Sequence, residues 1–290
     1  MIDVFNIPSQ QQQTFTFYAT GINSWQTWNK PRNAKMIQIF CLGGGAAGGT
    51  SFVAANSAGA GGGGSGGIVR GLIPAFLLPN TLYIQVGKGG SSPTGTNITG
   101  PEGLISNVSL QPSASDQFLI CKSQSTSSGG GQPNTGAGAG ATISVVASAA
   151  FGNLGLFTAI AGVAGSGGVS VVPNPGLSQA ALSTNLVTGG AGGGPRNASA
   201  FGTGGTITQA TAILTTPVSG GVTGGQNGDN GYGTLQPFCG TGGAGGAGIT
   251  SGLGGAGGDG WYGCGGGGAG GGGTKGGQGG DGLVIITVIS

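Results

Sequence analysis

The chain has 290 residues, of which 74 are glycine and only 5% are charged; its formal charge is +2 and it has no histidine. Collagen is excluded, because its strict glycine phase is absent and the 13 prolines fall without register. Intrinsic disorder goes with low hydrophobicity and high charge, whereas 37% of this chain is hydrophobic, so the glycine is expected to be packed.

The first 42 residues contain one glycine, Gly21, and read as ordinary strand material. Thr14–Ala19 alternates, with Phe15 and Phe17 on one face. Trp25–Pro31 reads as an aromatic turn closed by proline. Ala34–Leu42 is apolar on both faces and suits a strand covered on both sides. Ile68–Ile73, Thr81–Val86, Leu104–Leu110 and Gln117–Lys122 follow as strands among glycines. The last run, Leu283–Ile289, is the most apolar and β-branched of the chain and must also be buried. Its expected partner is Met36–Leu42. The fold class is therefore all-β: a small β-sandwich from residues 1–128 plus 283–290, with a large glycine-rich, polyglycine II-like insertion over 129–282.

In that insertion, runs such as Gly240–Gly248 and Gly263–Gly273 alternate with long apolar segments, and no charge occurs from Ser123 to Pro195, 73 residues. A flexible linker has no use for Val145, Phe157 or Leu186. Polyglycine II offers the physical alternative. It is a left-handed threefold helix whose N–H and C=O groups point outward, so neighbours without Cβ atoms pair across helices. Glycine loses more entropy on ordering than any other residue, so many such helices must pack together. The two longest runs are expected side by side.

Catalytic chemistry has little to stand on. The commonest general base and metal ligand is missing, and the carboxylates Asp3, Glu102, Asp116, Asp229, Asp259 and Asp281 are far apart in sequence. Cys41, Cys121, Cys239 and Cys264 have no CxxC spacing; Cys41 and Cys121 sit in apolar runs and read as reduced core residues. GxGxxG occurs by chance at this glycine content, and GxxxxGK[ST] is absent. Asn97, Asn107 and Asn197 match the glycosylation acceptor but read as ordinary turn or strand asparagines. No enzyme activity, cofactor, metal or nucleic acid is expected. Ala141–Ala164 imitates a membrane span, yet Gly152, Asn153, Gly155 and Gly162 interrupt it without basic flanks, so no span is expected. Met1–Gln13 carries Asp3, no basic segment and a glutamine run, so it is not read as a secretory signal.

Phe15–Phe17, Trp25, Trp28 and Lys30-Pro31 come first, followed by KMIQIFCLGGGAAGG (Lys35–Gly49). GGGGSGGIVRGLI (Gly61–Ile73), LYIQVGKGG (Leu82–Gly90) and GGGGAGGGGTKGGQGGDGLVIITV (Gly265–Val288) complete the order. In this order of strands and runs, the chain resembles the glycine-rich domains of bacteriophage tail fibres, tail-tip adhesins and related virion proteins. The resemblance implies a β-sandwich base, a layer of polyglycine helices and variable loops that touch a host-surface receptor. The long aliphatic segments depart from the adhesin pattern and favour a packing role inside the particle.

The expected function is thus a non-enzymatic virion structural protein, an external appendage (tail fibre, tail tip or capsid surface) that mediates host attachment. The alternative is a capsid decoration or cementing protein without receptor binding. Expected partners are other virion proteins, a host cell-surface receptor and a second copy of the chain; the expected location is the virion, after synthesis in the host cytoplasm. Phe151, Leu156, Phe157, Val171, Val172 and Pro173 are the candidate contact residues, read either as a second small core over the glycine layer or as a receptor or subunit surface. Trp25 and Trp28 are candidate docking or interface residues, with core packing or sugar stacking as their other uses. Lys30, Arg32 and Lys35 form a solvated turn or meet an acidic surface on the particle.

Overall fold

A computed structural model describes residues 12–123, 129–131, 133, 156–170, 172–180, 186–208, 216–235 and 239–290. Its strands are β1 (Gln12–Phe17), β2 (Trp25–Asn29), β3 (Met36–Leu42), β4 (Ile68–Pro74), β5 (Thr81–Gln85) and β6 (Asn107–Ser109). They continue with β7 (Leu119–Lys122), β8 (Leu156–Ile160), β9 (Gly233–Leu235), β10 (Cys239–Gly240) and β11 (Leu283–Ile289).

The expected pairing of the two apolar strands is present. β11 and β3 run antiparallel from Leu283–Leu42 to Ile289–Met36, at the centre of the sheet β1-β11-β3-β4-β8. The second sheet, β2-β5-β6-β7, faces it, and β9 and β10 form a separate hairpin. Period-two alternation sends Ile37, Ile39 and Cys41 of β3 and Val284, Ile286 and Val288 of β11 into one core. There they meet Trp28, Leu82, Ile84, Val108, Ile120 and Cys121 of the facing sheet. The fold is all-β.

One element differs from the sequence expectation. Trp25–Asn29 is not a turn but edge strand β2, paired with β5 from Trp25–Gln85 to Asn29–Thr81. Trp28 supplies the reason. It points inward, is buried, and meets Phe15 edge to face at 5.9 Å. The turn comes after it, where Lys30 Nζ donates to the carbonyls of Ala75 and Leu78.

Cys41 and Cys121 are free and buried, and Cys264 is buried as well. Burial first, and the neighbouring Cys121 thiol second, push the Cys41 thiol well above its ordinary value. A thiol that does not ionise is a poor nucleophile. Cys41 and Cys121, both fully buried, should resist iodoacetamide in native, mildly alkaline buffer and label fully in denaturant, as read by peptide mass spectrometry. Native labelling of Cys41 or Cys121 would contradict this packing.

Beyond the sandwich the chain runs out and back repeatedly as extended segments whose hydrogen bonds repeat every third residue. Segment 43–51 leaves β3. Its N–H groups at Gly44, Ala47 and Thr50 donate to Leu104, Pro101 and Ile98; those at Gly45 and Gly48 donate to Gly280 and Gly277; those at Ala46 and Gly49 donate to Gly64 and Gly61. This is polyglycine II pairing. Segments 240–248 and 263–271 do lie side by side, through Gly243 N–H to Gly265 O and Gly246 N–H to Gly268 O, both 3.0 Å.

Segment 263–271 sits at the centre of the array. It donates to 43–51 (Gly266, Ala269), 188–194 (Gly265, Gly268, Gly271) and 255–258 (Gly267, Gly270). It accepts from 60–66, 243–246 and 277–280. Donor and acceptor neighbours number three each, the hexagonal coordination that a threefold helix permits. Within the run, glycine is needed for narrowness: a Cβ at Gly267 would stand 2.0 Å from Ala244 O, and one at Gly265 would stand 1.9 Å from Gly63 O. At the two ends it is needed for the bend, where Gly263 (φ 68°) and Gly272 (φ 84°) take the left-handed conformation.

The array and the sandwich interleave along the chain. Segments 43–51, 57–67, 86–92 and 98–106 fall before residue 129, whereas β8, after it, joins the sandwich sheet beside β4.

Candidate functional site

The out-and-back path gives the molecule two poles. Because β3 enters at Met36 and leaves at Leu42 into the array, residues 30–35 lie at the sandwich pole with the turn after β4. There Arg32, Lys35 and Phe76 are exposed, Phe76 to 83%. Lys35 O accepts from Ala75 N at 2.8 Å, so the cationic and aromatic parts are held together. Among the described residues, none of Lys30, Arg32 and Lys35 pairs with a carboxylate.

The opposite, distal pole collects the connections between outgoing and returning segments: 52–56, 93–97, 172–175, 196–201, 222–225, 249–252 and the bend at Gly272. They are cross-tied. Ser57 and Arg196 exchange backbone hydrogen bonds of 3.1 and 2.8 Å. Arg196 Nε donates to Ala54 O at 2.6 Å and Nη1 to Gly252 O at 2.7 Å, joining three connections with one guanidinium. Asn197 Oδ1 accepts from Ser199 N and Ala200 N, and Gln226 Oε1 from Val222 N and Thr223 N, each closing its own turn. Gly95 N donates to Thr274 O at 2.8 Å, drawing in the 93–97 connection.

On this braced end Phe52, Val53, Val222 and Leu253 are exposed, the last two above 60%. A cavity of about 410 Å³ opens between Asn56, Ser57, Ser170, Val172, Arg196 and Asn197. A second cavity of about 390 Å³ lies on the outer face of the five-stranded sheet, walled by Gln12, Gln38 and Arg70. Its floor is Phe40, whose ring centroid is 5.7 Å from the Arg70 guanidinium carbon. Among the described residues no three of His, Cys, Asp and Glu gather closely enough to hold a metal ion, and no helix is long and apolar enough to cross a membrane.

Among the described residues, the contact residues expected from sequence do not form one surface. Val172 and Pro173 are on a distal connection, Val172 half-buried at the cavity and Pro173 exposed. Leu156 and Phe157 lie in edge strand β8 instead of at a loop tip, because β8 pairs with β4 from Leu72–Leu156 to Ile68–Ile160. Leu156 faces solvent, 74% exposed, whereas Phe157 packs against the sandwich core. Its ring fills the space over Gly71, where an added Cβ would stand 2.6 Å from Cε1. Phe151 and Val171 lie outside the described residues. Trp28 is in the core and Trp25 is half-buried on β2. Arg196 was not among the sequence candidates, although it is the charge that ends the 73-residue uncharged stretch.

No curated protein matches the chain. A family model described as a glycine-rich domain matches residues 20–288, from before β2 to the penultimate residue of β11. The chain therefore belongs to the glycine-rich domain family.

Proposed function

We propose that this chain is a non-enzymatic structural protein of a virus particle, an external appendage that docks by its sandwich pole and attaches to a host surface by its distal pole. The observation that carries the reading is the braced distal end. Several connections with exposed apolar side chains are gathered at the tip of a hydrogen-bonded array that has little freedom to bend. Loops on a rigid mount are the usual seat of recognition. At the other end, exposed Phe76 beside Arg32 and Lys35 suits contact with an acidic neighbour on the particle, an aromatic anchor with a polar rim. The resemblance to tail-fibre and tail-tip proteins points the same way.

The test combines location with competition. Antibody raised against the purified chain should label the outside of intact particles, and the purified chain should block particle adsorption to cells. Doubly altered Phe76→Asp/Lys35→Glu protein should stay folded, because both side chains are exposed, yet fail to join particles; dissociation should be at least about tenfold faster. External labelling without any effect on adsorption would select the decoration or cementing reading. Absence of the chain from particles would overturn both.

A further inference from the structure

We infer that the distal cavity beside Arg196 receives a carboxylate-bearing sugar residue. This deepens the attachment reading and rests on it for its biological setting. Arg196 is only 6% exposed, and an arginine stays charged at any pH a protein tolerates. Its hydrogen bonds go to two backbone carbonyls, through Nε and Nη1; among the described residues Nη2 donates to nothing and no carboxylate pairs with the side chain. A buried cation held only by carbonyl dipoles keeps most of its attraction for an anion. Arg196 is among the residues that line the cavity, so a fixed and largely desolvated positive charge stands beside it.

The remaining walls choose among anions. Asn56, Ser57, Ser170 and Asn197 are neutral donors and acceptors of the kind that meet sugar hydroxyls, and Val172 offers an apolar wall to a ring's C–H face. One guanidinium supplies one positive charge, which matches a carboxylate; a phosphate dianion would call for further cations, and the cavity lining has none. The volume, about 410 Å³, is that of a small-molecule pocket, with room for a sugar ring and its substituents. The walls are preorganised, since Ser57 and Arg196 are bonded backbone to backbone and Arg196 fixes Ala54 and Gly252. Preorganisation lowers the ordering cost of binding.

The experiment uses the full chain, isotopically labelled, titrated with the methyl glycosides of glucuronic, galacturonic and N-acetylneuraminic acids, with methyl glucoside as the neutral comparison. The expected result is amide shifts confined to residues 54–58, 170 and 196–197 for at least one acidic glycoside, with the glucoside at least about tenfold weaker. Asn56→Asp and Ser170→Asp place a negative charge at exposed positions of the wall and leave the Arg196 bonds intact. Each should weaken the acidic glycoside at least about tenfold without changing Tm. Leu156→Ser on the distant sheet edge should change nothing. If no acidic glycoside shifts these residues, or if the glucoside binds as well, the inference is overturned. The attachment reading fails separately. Loss of adsorption by Asn56→Asp particles in the absence of glycoside binding would overturn the sugar and keep attachment; glycoside binding by a chain that never blocks adsorption would keep the sugar and overturn attachment.

Discussion

Gly267→Val should prevent the chain from folding to a soluble native state, with a loss of more than about 4 kcal/mol where any folded fraction can be measured. The position lies mid-way along the central segment of the array. Its N–H donates to Gly258 O at 2.8 Å, and its carbonyl accepts from Gly277 N at 2.9 Å. A Cβ there would stand 2.0 Å from Ala244 O and 2.6 Å from Ala244 C. In an ordinary core an oversized side chain costs about 1–3 kcal/mol because neighbouring side chains rotate away. Here the neighbour is backbone, itself bonded on its far side by Ala244 N–H to Asp229 O, so relief at one contact opens the next. The comparison is Gly21→Ala, where the added carbon meets Ser24 Oγ at an ordinary 3.5 Å. That change should stay within about 0.5 kcal/mol. Circular dichroism melts of the two variants decide the matter. If Gly267→Val melts with the wild type, the array does not depend on narrowness.

The same geometry explains what the sequence disclosed and what it hid. Runs such as 240–248 and 263–271 are conspicuous because a segment enclosed on all sides needs glycine or alanine at nearly every position, Thr241 and Cys264 excepted; even the alanines there, Ala244, Ala247 and Ala269, are fully buried. Peripheral segments need glycine only on the face turned inward, and one face of a threefold helix recurs every third residue. Gly100 and Gly103, Gly165 and Gly168, and Gly228 and Gly231 have this spacing. Their added Cβ atoms would stand between 1.9 and 2.2 Å from a neighbouring carbonyl oxygen. The residues between them are free to be Pro101, Glu102 or Asp229, so stretches such as 100–103 and 228–231 do not read as glycine runs. Period three, and not run length, was the readable signal for them, and it would have extended the array into residues before 129.

The candidate site was less legible for a related reason. An uncharged stretch reads alike whether it becomes strand or loop, so Leu156 and Phe157 could not be told apart from Val172 and Pro173 by composition. What separates them is pairing: the gap over Gly71 on β4 accepts Phe157 and thereby fixes β8 in the sheet. Arg196 could have been noticed as the charge that closes the uncharged stretch. Its role depends on Ala54 and Gly252, more than 50 residues away on either side, and no local pattern carries that information.

Ile286→Asp should be the second severe change, and it tests the other half of the molecule. β11 ends the described path of the chain, yet it lies between β1 and β3, with Ile286 opposite Phe15 on one side and Ile39 on the other. Its side chain is fully buried in the core shared by both sheets, beside Ile37, Ile84 and Val108. A carboxylate there has no partner within the apolar cluster, and an unpaired buried charge either costs several kcal/mol or is protonated at a similar cost. The expected loss is more than about 4 kcal/mol. Ile286→Val removes one methylene from the same site and should cost only about 1 kcal/mol, which keeps the protein folded and makes the position measurable. The graded pair also separates sandwich from array. Because segment 274–282 leads directly into β11, displacing the strand should also release Gly45 and Gly48 from Gly280 and Gly277. Amide exchange of Ile286→Val should therefore quicken in β3 and in segment 43–51 together. If β3 alone responds, the two halves unfold independently, and the array holds itself together without the strand that anchors it.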